Sequence, residues 1–151
     1  MPHSQLFIGP SGYGSLPLVI EFSLFLLENK NVSNAAKKIS ERCQHPDLHF
    51  ILPIVKKKNE KVVYSHDYIH DWLRFIDLKP YGNYSEWFES INVGNRQGLI
   101  SIIDIENVRK KISLKAFNGG ARVCILWGAE KMSNQASNAF LKILEEPPKN
   151  T

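Results

Sequence analysis

The sequence predicts an α/β domain built on a parallel sheet, and three features carry that prediction. Residues Gln5 to Ile8 read as a short strand that runs into a glycine-bearing loop, Gly9 to Ser15, and the apolar stretch Leu16 to Leu27 follows at once. That order is strand, loop, helix. Val123-Cys124-Ile125-Leu126-Trp127 is an unbroken apolar run of the kind a parallel strand needs when helices cover both of its faces. Between these ends, strand-like runs alternate with stretches whose apolar residues recur at helical spacing.

Composition sets the outer bounds. With 151 residues and 43% of them apolar, the chain can bury one core, which predicts a single α/β domain or part of a larger one. No apolar run reaches 18 residues without polar interruption, and Met1-Pro2-His3-Ser4-Gln5 has no basic region leading into an apolar one. Neither export nor a membrane span is expected. Two cysteines, Cys43 and Cys124, are too few and too far apart for a disulfide framework or a four-thiolate metal site. The expected setting is a reducing cytoplasm, with no bound metal or cofactor. A formal charge of +4 permits nucleic-acid contact without demanding it.

Each element has a local justification. Pro17 suits a first helical turn, and Leu18, Val19, Ile20, Phe22, Leu24, Phe25, Leu26 and Leu27 surround the first helix so fully that burial on several sides is expected. A short helix over about 34–42 stops before His45-Pro46-Asp47, and Leu48 to Val55 reads as a strand. Lys56 to Lys61 reads as a solvated hairpin tip leading into Val62-Val63-Tyr64. From Ser65, a candidate cap, Ile69, Trp72, Leu73 and Ile76 form a helical stripe that ends near Pro80-Tyr81-Gly82. Trp87, Phe88 and Ile91 mark a second short helix, and its aromatics at helical spacing favour packing over base stacking.

The C-terminal third has the clearest punctuation. Ser101-Ile102-Ile103-Asp104 has the form of a capping box, and Ile105, Val108 and Ile112 continue its helix toward Gly119-Gly120. Cys124, inside the apolar strand, reads as a small buried hydrophobe. Ser133 is the expected N-cap of a last helix with Ala136, Ala139, Phe140, Ile143 and Leu144 on one face, closed by Pro147-Pro148.

The glycine loop identifies the chemistry to look for. A working phosphate-binding loop has the form G-x-x-x-x-G-K-[ST], in which the lysine reaches the β- and γ-phosphates and the hydroxyl binds Mg²⁺. In Gly9-Pro10-Ser11-Gly12-Tyr13-Gly14-Ser15-Leu16 the glycines stand, while Ser15 and Leu16 occupy the lysine and hydroxyl positions. The loop can wrap a phosphate but has lost its cation and its magnesium ligand.

Asn138-Ala139-Phe140-Leu141-Lys142-Ile143-Leu144-Glu145-Glu146-Pro147-Pro148 closely resembles the N-A-L-L-K-x-L-E-E-P-P signature of bacterial clamp-loader subunits of the AAA+ class. His3-Ser4-Gln5-Leu6-Phe7-Ile8-Gly9 is similar to that family's H-A-x-L-F-x-G lead-in. His45-Pro46-Asp47 resembles its H-P-D, and Gly119-Gly120-Ala121-Arg122-Val123 its G-G-x-K-V entry to the Walker B strand. The resemblance covers residues 3–151 with a gap over about 56–97, which it implies is an insertion of a hairpin and two helices within an AAA+ core spanning 1–151. It also implies a three-layer, RecA-like P-loop fold.

Aligned through the downstream signature, the Asp-Glu pair that closes the Walker B strand in the motor subunits corresponds to Trp127 and Gly128. The resemblance therefore implies a non-catalytic stator of the DNA polymerase III clamp loader. Gly9, Gly12, Gly14, Ser15 and Leu16 would form a vestigial nucleotide site, with no ATPase activity and no catalytic residues. Partners would be the motor and delta subunits and, through the complex, the sliding clamp and primer-template DNA. Glu130 stands two residues past the family's glutamate and reads with Lys131 as a solvated loop pair. Arg109, Lys110 and Lys131 are the candidate contacts to DNA phosphates, against a simpler reading as surface charges.

The chain departs from the family in three places. Only Cys43 stands where relatives often carry a four-cysteine zinc module, so zinc is not expected. A helix before the first strand, and the sensor 1 strand with the S-R-C motif after Thr151, would lie outside the sequence. The chain therefore reads as an N-terminal piece lacking the last strands, whose open sheet edge could pair with a second copy. Two other functions compete: a divergent active ATPase, and a free-standing nucleic-acid-binding module using Lys56 to Lys61 and the aromatic segment.

Overall fold

The computed structural model describes residues 2–27, 38–56, 64–94, 96–117 and 120–151. Within them, α1 (Ser15–Leu27) is followed by α2 (Ile39–Arg42), β1 (Leu48–Ile51), α3 (Ile69–Leu78), α4 (Tyr84–Ser90), α5 (Ile102–Ser113), β2 (Val123–Leu126) and α6 (Asn134–Glu145). Strands β1 and β2 pair in parallel, with Leu48 opposite Val123 and Ile51 opposite Leu126. A parallel pair needs a long crossover, and here α3, α4 and α5 supply it.

Alternation along the two strands sends successive side chains to opposite faces. Phe50 and Ile125 join one buried cluster with Leu16, Ile20 and Leu24 of α1, Trp72, Phe75 and Ile76 of α3, and Trp87 and Phe88 of α4. Ile51, Cys124 and Leu126 meet the other, formed by Ile105, Val108 and Ile112 of α5 and Ala136 and Ile143 of α6. Helices thus cover both faces. Burial pushes the Cys124 thiol up to about 12, so it stays protonated at neutral pH and packs as an apolar group.

Trp72 is the hub of the first cluster. Its ring centroid lies 5.8 Å from Phe50, 5.7 Å from Phe75, 5.4 Å from Trp87 and 5.0 Å from Trp127. The aromatics of α3 and α4 therefore sit inside the core shared with α1 and the sheet, and Trp87 anchors its indole N–H on the Pro53 carbonyl at 2.9 Å.

Several local expectations hold. Ser101 caps α5, its Oγ accepting the Asp104 N–H at 3.4 Å while the Asp104 carboxylate takes the Ser101 N–H at 3.1 Å. Ser133 caps α6 by accepting the Ala136 N–H at 3.1 Å. Asp47 of the His-Pro-Asp segment takes the Val123 N–H on its carbonyl and the Phe117 N–H on its carboxylate, so it fixes the entry to both strands.

Others are corrected. Gln5 to Ile8 forms no strand; Leu6 and Ile8 are exposed, because no neighbouring strand among the described residues offers a ladder to it. Among the described residues the sheet has two strands, β1 and β2. Helix α1 buries one face, through Leu16, Ile20, Ser23 and Leu24, and leaves Leu18 and Phe25 exposed. The strand expected to reach Val55 stops at Ile51, and Ile54 instead bridges antiparallel to Leu99. Most of the expected hairpin at 56–64 and much of the helix expected from 34 lie outside the described residues, while α5 ends at Ser113, well before Gly119.

Ser65 is not a cap. Its hydroxyl donates to the Leu52 carbonyl at 2.9 Å and accepts the Leu52 N–H at 3.2 Å, and its own N–H donates to Asp104 Oδ1 at 2.7 Å. A serine that could have capped its own turn instead satisfies the backbone just past β1. Asp104, buried with Ser65, thereby joins the start of α5 to the turn before α3.

Two expectations follow. Asp104→Ala leaves the buried Ser65 donor and the half-buried Ser101 donors without their acceptor and should lower unfolding free energy by about 2–3 kcal/mol, against about 1 kcal/mol for Ser65→Ala, in urea titrations. His49 of β1 has its pKa lowered from 6.5, first by burial and then by Lys111, with Asp47 opposing. The unfolded chain then binds the proton more readily, so the contribution of His49 is present above 6.5 and lost as pH falls through that value toward the lower folded pKa. His49→Gln should flatten the stability profile across that window.

Candidate functional site

The glycine loop rises from an irregular N-terminal segment and ends at the first turn of α1. Gly12 and Gly14 have φ of +83° and +96°, a region that side chains with a Cβ rarely adopt, and these reversals turn the loop before the helix. The Tyr13 N–H donates to the Pro10 carbonyl at 3.3 Å, and the Leu18 N–H takes the Gly14 carbonyl at 3.1 Å as the first helical bond. Gly9 to Tyr13 is exposed, while Ser15 is half-buried and Leu16 is buried in the core. Leu16 is therefore part of the packing under the loop.

Tyr81, in the turn between α3 and α4, lies against this loop. A Cβ on Gly14 would stand 3.3 Å from the Tyr81 ring, and one on Gly12 would stand 3.9 Å from its carbonyl oxygen. Three residues further on, Tyr84 reaches the end of β2. Its ring centroid is 4.5 Å from that of Trp127, and a Cβ on Gly128 would approach its oxygen to 2.9 Å. The turn between α3 and α4 thus spans from the glycine loop to the strand end. The sequence signal for it was the Pro80-Tyr81-Gly82 break, whose aromatic gave no indication of its target.

Trp127 and Gly128 are both committed to structure. Trp127 packs 5.0 Å from Trp72 and 6.2 Å from Phe75, and Gly128 turns the chain out of β2 with φ of +88°. Glu130 and Lys131 were expected as a solvated pair; Glu130 is exposed and Lys131 half-buried, and both also engage Tyr84. Burial, and then the hydrogen bond to Glu130, raise the Tyr84 phenol well above its usual range, and Lys131 Nζ lies 5.4 Å from the ring centroid.

The three candidate DNA contacts do not form one patch through side-chain contacts given by the fold. Arg109 and Lys110 are exposed on α5, about 10 Å along the helix from its start at the usual rise per residue. Lys131 sits at that start, where its carbonyl accepts the Ile100 N–H at 2.8 Å. No helix among the described residues is long and apolar enough to cross a membrane.

The family model described as DNA polymerase III, delta subunit, matches residues 1–151. The chain belongs to this DNA polymerase III subunit family. It is 29% identical to DNA polymerase III subunit delta' of Buchnera aphidicola subsp. Schizaphis graminum over an alignment of 131 residues, covering 74% of this chain and 38% of that protein. With DNA polymerase III subunit delta' of Buchnera aphidicola subsp. Acyrthosiphon pisum it shares 33% identity over 100 residues, covering 56% of this chain and 29% of that protein. The chain therefore spans well under half the length of these relatives. No solved structure matches significantly. The segment Asn138 to Pro148 forms the C-terminal part of α6 and the irregular residues that follow it.

Substitutions at the strand end should damage the fold. Trp127→Asp should cost at least ~3 kcal/mol in thermal or urea unfolding, because it empties the aromatic cluster and brings a charge to its edge. Gly128→Ala should cost ~1–3 kcal/mol from its positive φ and the approach to Tyr84.

Proposed function

We propose that this chain is part of a non-catalytic clamp-loader subunit, acting as a stator in loading the sliding clamp onto primer-template DNA. The observation that carries the reading is the end of β2, where Trp127 is packed against Trp72 and Gly128 holds a left-handed turn against Tyr84. A motor subunit places two carboxylates there for magnesium and water. Neither residue present here can ligate a metal or activate water through its side chain.

The glycine loop supports the same reading from the other side of the site. Ser15 supplies no cation, and Leu16 is buried in the core with no hydroxyl to offer magnesium. A lysine–phosphate contact is worth roughly 1.5–3 kcal/mol, so its absence weakens a triphosphate by about one to two orders of magnitude before magnesium is counted. On this proposal Gly9, Gly12, Gly14, Ser15 and Leu16 are the remains of a nucleotide site in an AAA+ core over residues 1–151, with 56–97 as an insertion.

Partners on this reading are the motor and delta subunits, with the clamp and DNA reached through the assembly. Arg109 and Lys110, exposed on α5, are better placed to meet DNA phosphates than Lys131, whose ammonium lies over Tyr84.

Calorimetric titration with Mg-ATP should give no measurable heat of tight binding, and phosphate release should stay at the buffer rate. Micromolar, magnesium-dependent binding would refute the proposal. In a reconstituted loader, the subunit containing this chain should be required for clamp loading while Gly14→Ala leaves the rate of ATP hydrolysis by the complex within about twofold, since no chemistry passes through this loop.

A further inference from the structure

We infer that a cavity bounded by β1, the 65–68 turn with α3, and α5 binds a phosphomonoester carried on a body of nucleoside size. The cavity holds about 570 Å³, within the usual range for small-ligand sites. It is separate from the glycine loop, none of whose residues line it, so it stands or falls independently of the stator reading.

The lining concentrates one kind of chemistry. Of the five histidines in the chain, His45, His49, His66 and His70 line this cavity, together with Lys111 and Lys115. The fifth, His3, is bonded to the Leu144 carbonyl at 2.9 Å. Along the sequence these six residues are spread from 45 to 115. Only the fold assembles them.

The acidic groups of the lining are already engaged. Both Asp47 oxygens accept the Phe117 N–H, at 3.1 and 3.0 Å. Asp104 accepts the Ser65 N–H at 2.7 Å, the Ser101 N–H at 3.1 Å and the Ser101 hydroxyl at 2.7 Å. Their hydrogen-bonding capacity is directed at the protein backbone and Ser101.

What is left over is donor capacity. Lys111 Nζ lies 3.4 Å from His66 Nδ1; an ammonium has no lone pair, so it donates, and the His66 ring carries its proton on Nε2. The Asp47 N–H donates to His45 Nδ1 at 3.1 Å, with the same consequence for that ring. Two imidazole N–H groups and two lysine ammoniums are therefore available to a ligand rich in acceptor oxygens. A phosphomonoester has that character, whereas a metal ion needs lone pairs that these two Nδ1 atoms have spent.

The remaining wall sets the size and polarity of the ligand's body. Ile69, Leu73 and Val108 give the cavity an apolar side, which suits a flat heterocycle better than a bare inorganic ion. His49, whose proton affinity is lowered by burial and by Lys111, gains a compensating negative neighbour when a phosphate enters. A free mononucleotide and the 5′-phosphate end of a nucleic-acid strand share this chemistry.

Ring-proton NMR of the histidines in the full chain tests the proposal and separates the two sources. AMP should shift the resonances of the four cavity histidines saturably while leaving His3 in place, and adenosine should act far more weakly. Lys111→Met should raise the Kd for AMP roughly tenfold, while Lys142→Met, on the exposed side of α6, should leave it unchanged. Should Lys111→Met fail to fold, His66→Gln, checked by its amide spectrum, serves the same purpose. Response to a 5′-phosphorylated oligonucleotide but neither to its 5′-hydroxyl counterpart nor to AMP would assign the strand end. Absence of any cavity-histidine shift with both phosphorylated probes, equal response to adenosine and AMP, or an unchanged Kd in the folded variants would overturn the proposal.

Discussion

A two-stranded parallel sheet has to be covered on both faces, and the arrangement of this molecule follows from that constraint. Leu48 to Ile51 and Val123 to Leu126 are only four residues each, so their pairing alone stabilises little. Stability comes from what the pairing organises: Phe50 and Ile125 directed into the aromatic cluster, and Ile51, Cys124 and Leu126 directed toward α5 and α6. Asp47 and Asp104 brace the same unit with backbone hydrogen bonds.

The covering has consequences for function. Trp127 follows β2 directly and is drawn into the Trp72 cluster, so the strand end presents an aromatic ring. Tyr84 then packs on Trp127 and recruits Glu130 and Lys131. A region that could have been an open catalytic cleft is instead tied across by the turn between α3 and α4.

The helices covering β1 and β2 also create the histidine-lined cavity. His49 comes from β1, His66 and His70 from the segment leading into and along α3, and Lys111 from α5. One scaffold carries the glycine loop at the start of α1 and, elsewhere, a cluster of histidines and lysines around a cavity.

Features that depend on neighbours in sequence were legible. The capping box at Ser101 and Asp104, the Ser133 cap, the apolar run of β2 and the helical stripes of α3 and α6 formed as their local patterns required. The reversals at Gly12 and Gly14 were also plain, because a glycine-bearing loop is itself a local pattern. Gln5 to Ile8 misled, since strand character needs a partner and no residue reveals whether one lies alongside. Ser65 misled because it had a satisfactory local role as a cap, and a more distant group, the Leu52 backbone, offered a better one. By itself the sequence determined the α/β class, most element positions and the family. Only the tertiary structure decided which strands pair, that Tyr81 and Tyr84 close over the loop and strand end, and that four distant histidines share one cavity, because those outcomes depend on contacts between residues far apart along the chain.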